Sequence, residues 1–278
     1  MKIQSGWWFG RNMADYSISI SVVTYNSAMH IGNLIRSITR YVRGISYHIF
    51  VVDNGSTDGT QEIVRNLVSP DITLIENDRN LGFGGGHNLI LPQLDSRYHL
   101  CINPDVILES DVVSGIAGYL DIHEDIGILT PKVLNSDETL QLLPKRDPRL
   151  VYLLARRVNL PCLRKYRREY EMGDLDSRKE CDIEFCTGCF MFMRTQLFRE
   201  LCGFDERFFM YFEDADLTRR IREKARAQYN PEFTVVHHWE RAGGKSLKFF
   251  IIQVVSMFRY MAKWRGQKER KRKVREAI

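Results

Sequence analysis

Polar residues follow the ends of four predicted strands that alternate with helices, and this arrangement constrains the fold more than any other feature. The strands are β-branched and apolar runs at Ile18–Thr24, Tyr47–Val52, Ile72–Glu76 and His99–Ile102. Such alternation predicts an α/β fold, a mostly parallel sheet with helices on both faces, and sheets of this kind bind ligands at the carboxyl ends of their strands. We therefore predict one crevice lined by Asn26, Asp53, Asn77 and Asp105.

The segments between and after these strands predict the helices. Ser27 is expected to cap a helix that continues to about Tyr41, and further helices are predicted at 60–68, 82–94 and 111–120. Residues 135–180 lose the alternation and gain charge, so we interpret them as a loop-rich insert that helps to select an acceptor. The remaining predictions are an ordered segment at 183–194, helices at 196–201 and 213–224, a short strand at 234–236 and a helical end from residue 246.

The composition argues against several classes of protein. With 278 residues, 44% of them apolar and 27% charged, the chain can bury a full core as ordinary folded proteins do. The six cysteines are too scattered for a disulfide scaffold, and Cys186-x-x-Cys189 lacks the second pair that a zinc site needs, so we expect buried, reduced thiols.

No apolar run is long enough to cross a bilayer, and no signal-peptide pattern is expected at the N-terminus. Residues 1–16 show no periodicity and are interpreted as an extension, with Met1 or Met13 as the natural start.

The positive charge is concentrated at the carboxyl terminus. The formal net charge is +5, but nine Lys and Arg residues against two Glu give the last twenty residues +7, so the rest of the chain carries −2. Apolar residues at helical spacing precede this cluster, namely Leu247, Phe250, Ile251, Val254, Phe258 and Met261. A basic amphipathic helix of this form predicts binding to an anionic membrane, with a core-packing helix or a nucleic-acid arm as alternatives. Because aromatic residues are not interleaved with the terminal positive charges, we expect no nucleic-acid partner.

Residues 51–60 (VVDNGSTDGT) contain a strand end, a tight turn and a helix start. Gly55 and Gly59 permit the turn, and the polar residues between them can cap the helix, so a capped connection explains most of the segment. Asp53 differs, because capping does not require a carboxylate at the strand tip. A carboxylate there can accept the ring N–H of a uracil or thymine base.

Residues 81–88 (LGFGGGHN) place three consecutive glycines at the start of a predicted helix. The dinucleotide-binding fingerprint would need glycine where His87 stands, so that function is not expected. The glycines allow the backbone to approach a phosphate or sugar closely. A flexible loop that begins a helix is the alternative, and the sequence leaves both open.

Two carboxylates are the strongest candidates for chemistry. Pro104 restricts the backbone so that Asp105 projects from a strand tip, where a hard oxygen ligand suits Mg²⁺ or Mn²⁺; a plain Asn-Pro-Asp turn is the alternative. Glu213 and Asp214 are predicted to begin a helix, where the dipole favours ionised carboxylates. Neighbouring helical residues point about 100° apart, so we expect one to be a general base and the other to orient the acceptor or support the structure. An acidic first helical turn without chemistry is the alternative.

Together these segments resemble the inverting family-2 glycosyltransferases of GT-A fold, most closely the bacterial rhamnosyltransferase-like branch. The resemblance rests on residues 21–26 (SVVTYN), 51–60, 77–84 (NDRNLGFG), 103–105 (NPD) and 203–217 (GFDERFFMYFEDADL). It implies a GT-A domain at 17–245, with a nucleotide-sugar-binding half at 17–134 and an acceptor-binding, catalytic half at 135–245. Residues 246–278 are then the amphipathic basic helix that associates with a membrane.

The resemblance also implies roles for individual residues. Asp214 matches the general base, with Glu213 at the acceptor. Asp105 matches the metal-binding position of the family's Asp-x-Asp motif, and Asn103 replaces its first aspartate. His237 matches a histidine that can complete the Mg²⁺ or Mn²⁺ site, although His238 stands beside it. The implied nucleotide-sugar-binding residues are Thr24, Tyr25, Asn26, Asp53, Asn54, Asn80, Gly82, Phe83, Gly84, Asn88, Asn103 and Pro104.

The implied reaction is a single displacement that moves one sugar to a lipid-linked saccharide during cell-surface polysaccharide or O-antigen assembly. The best match for the donor is dTDP-rhamnose, with another UDP- or dTDP-hexose as the alternative. The implied location is the cytoplasmic face of the inner membrane, where the basic helix would meet anionic lipid. A non-catalytic membrane-binding module is a further alternative, whereas a nucleotidyltransferase would cluster several carboxylates around paired metals. The sequence does not predict an oligomeric state.

Overall fold

A mixed β-sheet crosses the computed structural model, which describes residues 2–4, 16–141, 145–157, 160–173, 176–238 and 247–276, the side chains of 2–4, 156–157 and 267–276 excepted. Its strands in chain order are β1 (Lys2–Gln4), β2 (Ile18–Thr24), β3 (Tyr47–Asp53), β4 (Ile72–Glu76), β5 (Tyr98–Ile102), β6 (Val106–Ile107), β7 (Ile126–Leu134), β8 (Cys181–Asp182), β9 (Phe190–Arg194) and β10 (Arg226–His237). They lie in the order β1-β4-β3-β2-β5-β9-β7-β10-β6, with β8 beside β10. Most paired residues belong to parallel ladders, so the predicted α/β fold with a mostly parallel sheet is confirmed.

Helices cover both faces of the sheet. They are α1 (Ile31–Tyr41), α2 (Thr60–Arg65), α3 (Gly82–Asn88), α4 (Val112–Ile122), α5 (Leu150–Arg157), α6 (Arg164–Tyr170), α7 (Thr195–Glu200), α8 (Glu213–Ile221) and α9 (Leu247–Glu276). In β3, Ile49 and Val51 pack in a cluster with α1, α2 and α4, whereas Phe50 and Val52 pack in a second cluster with α7 and α8. Alternate residues of one strand thus serve two cores, as in a strand buried on both faces.

Strand β7 was not predicted from the sequence. Gly127, Pro131 and Lys132 interrupt its apolar pattern, and such residues are typical of turns rather than strands. It pairs in parallel with β10, which covers Arg226–His237. The strand predicted at 234–236 is present but is only the end of this longer strand, which has a register shift between Asn230 and Thr234.

Three further boundaries differ from the predictions. Helix α1 begins at Ile31, and the carbonyl oxygen of Ser27 accepts the N–H groups of His30 and Ile31 instead of a side-chain cap forming there. Helix α3 ends at Asn88 and is followed by a 3₁₀ turn at Leu91–Gln93, so the helix does not continue to residue 94. The insert at 135–180 contains α5 and α6, which contact each other, and is thus less loop-rich than predicted.

Helix α9 packs one side against α8. Ser256, Tyr260 and Trp264 are buried. The Trp264 indole N–H donates to Asp216 Oδ1 at 3.0 Å, and Lys263 Nζ lies 2.6 Å from the same oxygen. The apolar residues predicted for the membrane face are largely exposed, among them Leu247, Phe250, Ile251 and Phe258. Within the described ranges, every helix is too short or too polar to span a bilayer.

The two ends of the chain carry predictions that lie partly outside the described residues. The extension at 1–16 is described only at Lys2–Gln4, which pairs antiparallel with β4, and at Tyr16. The boundary proposed at 245–246 falls in 239–246, and the side chains of the terminal basic cluster from residue 267 onward are also outside.

Candidate active site

The strand ends of the predicted crevice meet at one edge of the sheet. β2 pairs in parallel with β3, where Thr24 lies opposite Asp53, and with β5, which ends at Ile102. The antiparallel strand β9 starts at this edge, and the Asn103 N–H donates to the carbonyl oxygen of Cys189 at 3.0 Å. The loops after β2, β3 and β5 and the turn before β9 therefore lie along the same edge.

Asp53 closes the loop between β3 and α2. Its Oδ1 accepts the N–H groups of Gly55 and Ser56 at 3.1 and 2.9 Å and the Gln61 amide at 2.7 Å. Its Oδ2 accepts the hydroxyls of Thr24 at 3.0 Å and Ser56 at 2.5 Å. A carboxylate offers about four acceptor sites, so these bonds use its whole capacity. The inference that capping needs no carboxylate here is wrong, and base recognition by Asp53 stays a prediction.

Asn54, Asn80 and Gly82 join the loops after β3 and β4. Asn54 Nδ2 donates to the carbonyl oxygen of Gly82 at 3.0 Å and to Asn80 Oδ1 at 3.3 Å, while its Oδ1 accepts from Asn77 at 3.0 Å. The Gly82 N–H donates to Asn80 Oδ1 at 2.8 Å. Gly82 has a φ of +80°, and a Cβ there would overlap the carbonyl oxygen of Phe209, so this position requires glycine.

Helix α3 is packed closely against the segment that leads to α8. A Cβ on Gly84 would lie 2.7 Å from the Cβ of Phe204. Asn88 Oδ1 accepts the Phe204 N–H at 2.8 Å, and Asn88 Nδ2 donates to the Phe204 carbonyl oxygen at 2.9 Å and to Glu206 at 3.0 Å. The glycine run thus forms an ordered helix in close protein contact rather than a flexible loop.

The turn after β2 presents an aromatic ring at the same edge. Tyr25 is 53% exposed and precedes Asn26, whose φ is +54°. Asn26 Oδ1 accepts the Thr57 N–H at 2.9 Å, and the Asn26 N–H donates to Ser56 Oγ at 2.8 Å. These bonds hold the loops after β2 and β3 together and leave the Tyr25 ring accessible for stacking on a planar group.

Asp105 and His237 meet at the end of the β6–β10 ladder. His237 lies opposite Val106 in that ladder, and its Nε2 is 3.2 Å from Asp105 Oδ1. Both atoms are buried, and neither has a hydrogen-bond partner among the described residues. The His238 ring instead contacts Ser136 Oγ at 2.7 Å through Nδ1. Of the two adjacent histidines, His237 is therefore the one that faces Asp105.

The Asp105–His237 pair fits a divalent cation. Neighbouring ligands of an octahedral ion with bonds of 2.0–2.1 Å lie about 3 Å apart, close to the 3.2 Å observed between Asp105 Oδ1 and His237 Nε2. In the part of the chain that is described, no three His, Cys, Asp or Glu side chains gather into a fuller metal site. Such a pair suits ions that take their other ligands from water and substrate phosphates, as Mg²⁺ commonly does.

Asp214 is the second residue of α8 and lies beside the turn that precedes β9. Its Oδ2 accepts the Gly188 N–H at 3.0 Å and its Oδ1 accepts the Ala215 N–H at 2.8 Å. Burial raises the pKa of Asp214, and these two N–H groups and the Lys145 ammonium group oppose that rise. Phe83 packs beside the same turn, since a Cβ on Gly188 would lie 3.0 Å from its ring and 3.5 Å from Asp214 Oδ2. A half-buried carboxylate with a raised pKa can act as a general base.

Glu213 differs from its neighbour in its surroundings. It is 5% exposed, and its Oε2 has no hydrogen-bond partner within the described residues. Burial first, and then the charge of Asp214, raise the pKa of Glu213 well above its ordinary value. The two adjacent carboxyl groups therefore point into different environments, as expected from helix geometry, and Glu213 favours the neutral acid.

Asp105 and Asp214 both lie near the buried Cys189. Burial raises the pKa of the Cys189 thiol to about 12, and the charges of Asp105, Lys145 and Asp214 all act on that thiol. These three charged groups are thus within electrostatic range of one buried side chain. Asp53 lies on the same sheet edge, but its oxygens are occupied within its own loop.

Sequence reasoning missed three residues of this region. Gln141 bonds to His237 twice, through its amide nitrogen to the carbonyl oxygen at 3.0 Å and through its amide oxygen to Nδ1 at 3.1 Å. Lys145 lies near Asp214, and Asp216 anchors α9. Two of them stand in the insert, where no periodic pattern marks them.

The sequence can be compared with known proteins at this point. The sequence profile of Glycosyl transferase family 2 matches residues 19–202. The chain belongs to this family. It is accordingly a nucleotide-sugar glycosyltransferase of GT-A-like fold, and the predicted resemblance is confirmed.

Two known rhamnosyltransferases are similar to this chain over most of their length. An N-acetylglucosaminyl-diphospho-decaprenol L-rhamnosyltransferase of Mycobacterium tuberculosis is 25% identical over 243 residues, which cover 82% of this chain and 78% of that protein. Rhamnosyltransferase WbbL of Escherichia coli K12 is 23% identical over 258 residues, which cover 78% of this chain and 93% of that protein.

Two solved structures share the fold of this family-2 chain. Staphylococcus aureus TarS 1-349 in complex with UDP-GlcNAc superposes with a TM-score of 0.59 at 18% identity, covering 85% of this chain and 64% of that one. Mannosyltransferase PcManGT from Pyrobaculum calidifontis, in complex with GDP-Man and Mn²⁺, gives a TM-score of 0.57 at 19% identity, covering 82% and 58%. The chain thus spans about three fifths of the length of these solved chains.

Proposed function

We propose that this family-2 enzyme is a metal-dependent inverting glycosyltransferase that moves L-rhamnose from dTDP-rhamnose to a lipid-linked saccharide in cell-surface polysaccharide or O-antigen assembly. The observation that supports the proposal is that Asp214, Lys145 and the Asp105–His237 pair are brought near the Gly188–Cys189 turn at one edge of the sheet. The choice of sugar is supported by the two rhamnosyltransferases that resemble the chain over most of its length.

Asp214 acts as the general base of this reaction. It accepts the proton of an acceptor hydroxyl while the hydroxyl oxygen attacks the anomeric carbon of the donor. A new C–O bond forms to the acceptor, the C–O bond to the diphosphate breaks, and its electron pair leaves with the diphosphate. Attack from the face opposite the diphosphate inverts the anomeric centre. The raised pKa of Asp214 brings its basicity closer to neutral pH.

Asp105 and His237 would hold Mg²⁺ or Mn²⁺. When bound, such an ion neutralises the charge that grows on the leaving diphosphate. The complex of PcManGT with GDP-Man and Mn²⁺ supports this assignment. Lys145 carries a further positive charge in the same crevice, within electrostatic reach of Asp214 and Cys189.

The donor is proposed to bind along the carboxyl edge of the parallel strands. Tyr25 offers an exposed ring there, and Phe83 lies next to the turn that contacts Asp214. Four other residues predicted to contact the donor form side-chain hydrogen bonds within the protein, namely Thr24, Asp53, Asn54 and Asn88. Direct contacts between these four side chains and the donor therefore stay predictions. The other proposed donor contacts along this edge are Asn26, Asn80, Gly82, Gly84, Asn103 and Pro104.

Helix α9 is proposed to lie on the cytoplasmic face of the inner membrane, where the lipid-linked acceptor would be found. The supporting observations are the exposed apolar side chains of Leu247, Ile251 and Phe258 and the nine basic residues among the last twenty. Exposed apolar groups followed by positive charge match the surface of an anionic bilayer.

Transfer of another hexose is the second candidate, favoured by the similarity in fold to TarS in complex with UDP-GlcNAc. Purified protein is offered dTDP-rhamnose, UDP-GlcNAc or GDP-mannose with Mn²⁺, with and without a polyprenyl-diphosphate N-acetylglucosamine acceptor. Release of the nucleoside diphosphate and the mass of the lipid product are measured. We expect acceptor-dependent release of dTDP from dTDP-rhamnose, and release from a different donor would assign another sugar. Vesicle binding without release from any donor would favour a non-catalytic membrane module.

A further inference from the structure

Gln141 bonds to both polar groups of His237 that lie away from Asp105. Its Nε2 is 3.0 Å from the His237 carbonyl oxygen, and its Oε1 is 3.1 Å from His237 Nδ1. The side chain is 6% exposed. The backbone of Gln141 is itself held, because its N–H donates to the carbonyl oxygen of Val133 in β7 at 2.9 Å. Gln141 is therefore held against β7, the strand next to β10.

These two bonds determine where the imidazole carries its hydrogen. A backbone carbonyl oxygen can only accept, so the NH₂ group of Gln141 must face the His237 carbonyl. The amide oxygen then faces Nδ1, and because that oxygen can only accept as well, Nδ1 must carry the hydrogen. In a neutral imidazole the other nitrogen, Nε2, consequently presents a lone pair.

The lone pair of His237 Nε2 meets a second acceptor. Asp105 Oδ1 lies 3.2 Å away, and both atoms are buried without a hydrogen-bond partner among the described residues. Two acceptors at this distance repel each other unless a positive charge lies between them. The orientation of the ring by Gln141 thus turns a histidine and an aspartate into a pair that needs a metal ion or a second ring proton between its facing atoms.

We propose that Gln141 is a positioning residue that holds His237 in the Nδ1–H form, with Nε2 ready to bind the divalent cation shared with Asp105. The inference rests on the proposed metal-dependent transfer and adds a residue that acts through a ligand. Groups that donate or accept at the far nitrogen of a metal-binding histidine commonly change metal affinity 10–100-fold when replaced.

The test compares two buried glutamines, one that bonds to His237 and one in the strand that ends at His237. Gln141→Leu removes both bonds to His237. Gln228→Leu is the matched control, because Gln228 is buried at 3% exposure near the start of β10, the strand that ends at His237. Binding of Mn²⁺ in the presence of dTDP is measured by electron paramagnetic resonance, and thermal unfolding shows that both variants are folded. We expect Gln141→Leu to weaken Mn²⁺ binding 10–100-fold and Gln228→Leu to leave it unchanged.

A second measurement needs no substitution. In ¹⁵N-labelled wild-type protein without metal at pH 8, the His237 ring should be the Nδ1–H tautomer. An Nε2–H tautomer, an imidazolium ion, or wild-type Mn²⁺ affinity in folded Gln141→Leu overturns the inference. Wild-type protein that binds no Mn²⁺ also overturns it, but acceptor-dependent release of nucleoside diphosphate without metal would leave the sugar transfer itself intact. The two failures are therefore distinguishable.

Discussion

The loop around Asp53 and the crevice around Asp105 lie on the same edge of one sheet but differ in how their polar atoms are satisfied. Both oxygens of Asp53 accept bonds from the protein. In contrast, Asp105 Oδ1 and His237 Nε2, and separately Glu213 Oε2, are buried and have no such partner within the described ranges. Unpaired buried polar atoms are costly. The difference separates a carboxylate that shapes a loop from groups that a ligand or proton must complete.

The largest effect is expected at the base. Asp214→Asn keeps an oxygen that can accept the Gly188 or Ala215 N–H but cannot take a proton. We expect the turnover number to fall about 10³-fold, within the range of general-base contributions, while dTDP-rhamnose affinity changes less than about twofold. The release of dTDP over time measures the turnover number, and calorimetry measures the affinity for dTDP-rhamnose. Turnover like that of the wild type would remove Asp214 from the base role.

A substitution of Asp53, whose oxygens already accept bonds within its loop, should instead lower the stability of the protein. Asp53→Ala leaves Gly55, Ser56 and Gln61 without their acceptor, so we expect the free energy of unfolding to fall by about 3 kcal/mol. Urea unfolding measures it, and an unchanged value would contradict the loop-closing role. Asp53→Asn sharpens the comparison. If this variant unfolds like the wild type but binds dTDP more weakly, Asp53 recognises the base as well.

The Asp105–His237 pair, whose facing atoms lack hydrogen-bond partners among the described residues, should affect dTDP affinity rather than stability. Asp105→Ala removes one of two facing acceptors, so we expect stability close to the wild type and dTDP affinity in the presence of Mn²⁺ about tenfold weaker. Calorimetry with and without Mn²⁺ separates the metal from the nucleotide. Equal dTDP affinity under all four conditions would show that the metal assignment is wrong.

A pH-dependent gain in stability is expected from Glu213→Gln. The folded-state pKa of Glu213 is raised above its ordinary value of 4.5 by burial, so the native protein keeps a proton that the unfolded chain loses. The wild type thus loses stability as pH rises above about 4.5, and the variant avoids this loss by at most about 1.4 kcal/mol per pH unit. Between pH 5 and pH 8 the free energy of unfolding of Glu213→Gln should exceed that of the wild type by an amount that grows with pH. A constant difference between the two proteins would contradict an unpaired Glu213.

The first half of the sheet could be predicted from sequence because its strands are continuous apolar runs. Ile18–Thr24 and Ile72–Glu76 match β2 and β4 residue for residue. β7 could not be predicted, because Gly127 and Pro131 interrupt it and only pairing with β9 and β10 makes it a strand.

The site was predicted in part. Asp105 was predicted from its position at a strand tip, whereas His237 was predicted only through the family resemblance, since no local pattern links positions so far apart in the chain. Gln141 and Lys145 act through side-chain contacts that only the tertiary structure creates. The loop-closing bonds of Asp53 were not predicted, because they depend on how Thr24, the turn at Gly55–Ser56 and Gln61 come together in the fold.

The contact between α8 and α9 affects how far the carboxyl-terminal helix can be exchanged among relatives. Asp216 is fully buried, and its described partners are Arg220 on its own helix and Lys263 and Trp264 on α9. A hybrid protein that receives the terminal helix of a relative would keep the buried Asp216, two residues from Asp214. It would lose two of the three described partners of that carboxylate, Lys263 and Trp264. Successful grafts should therefore exchange Asp216 together with the terminal helix.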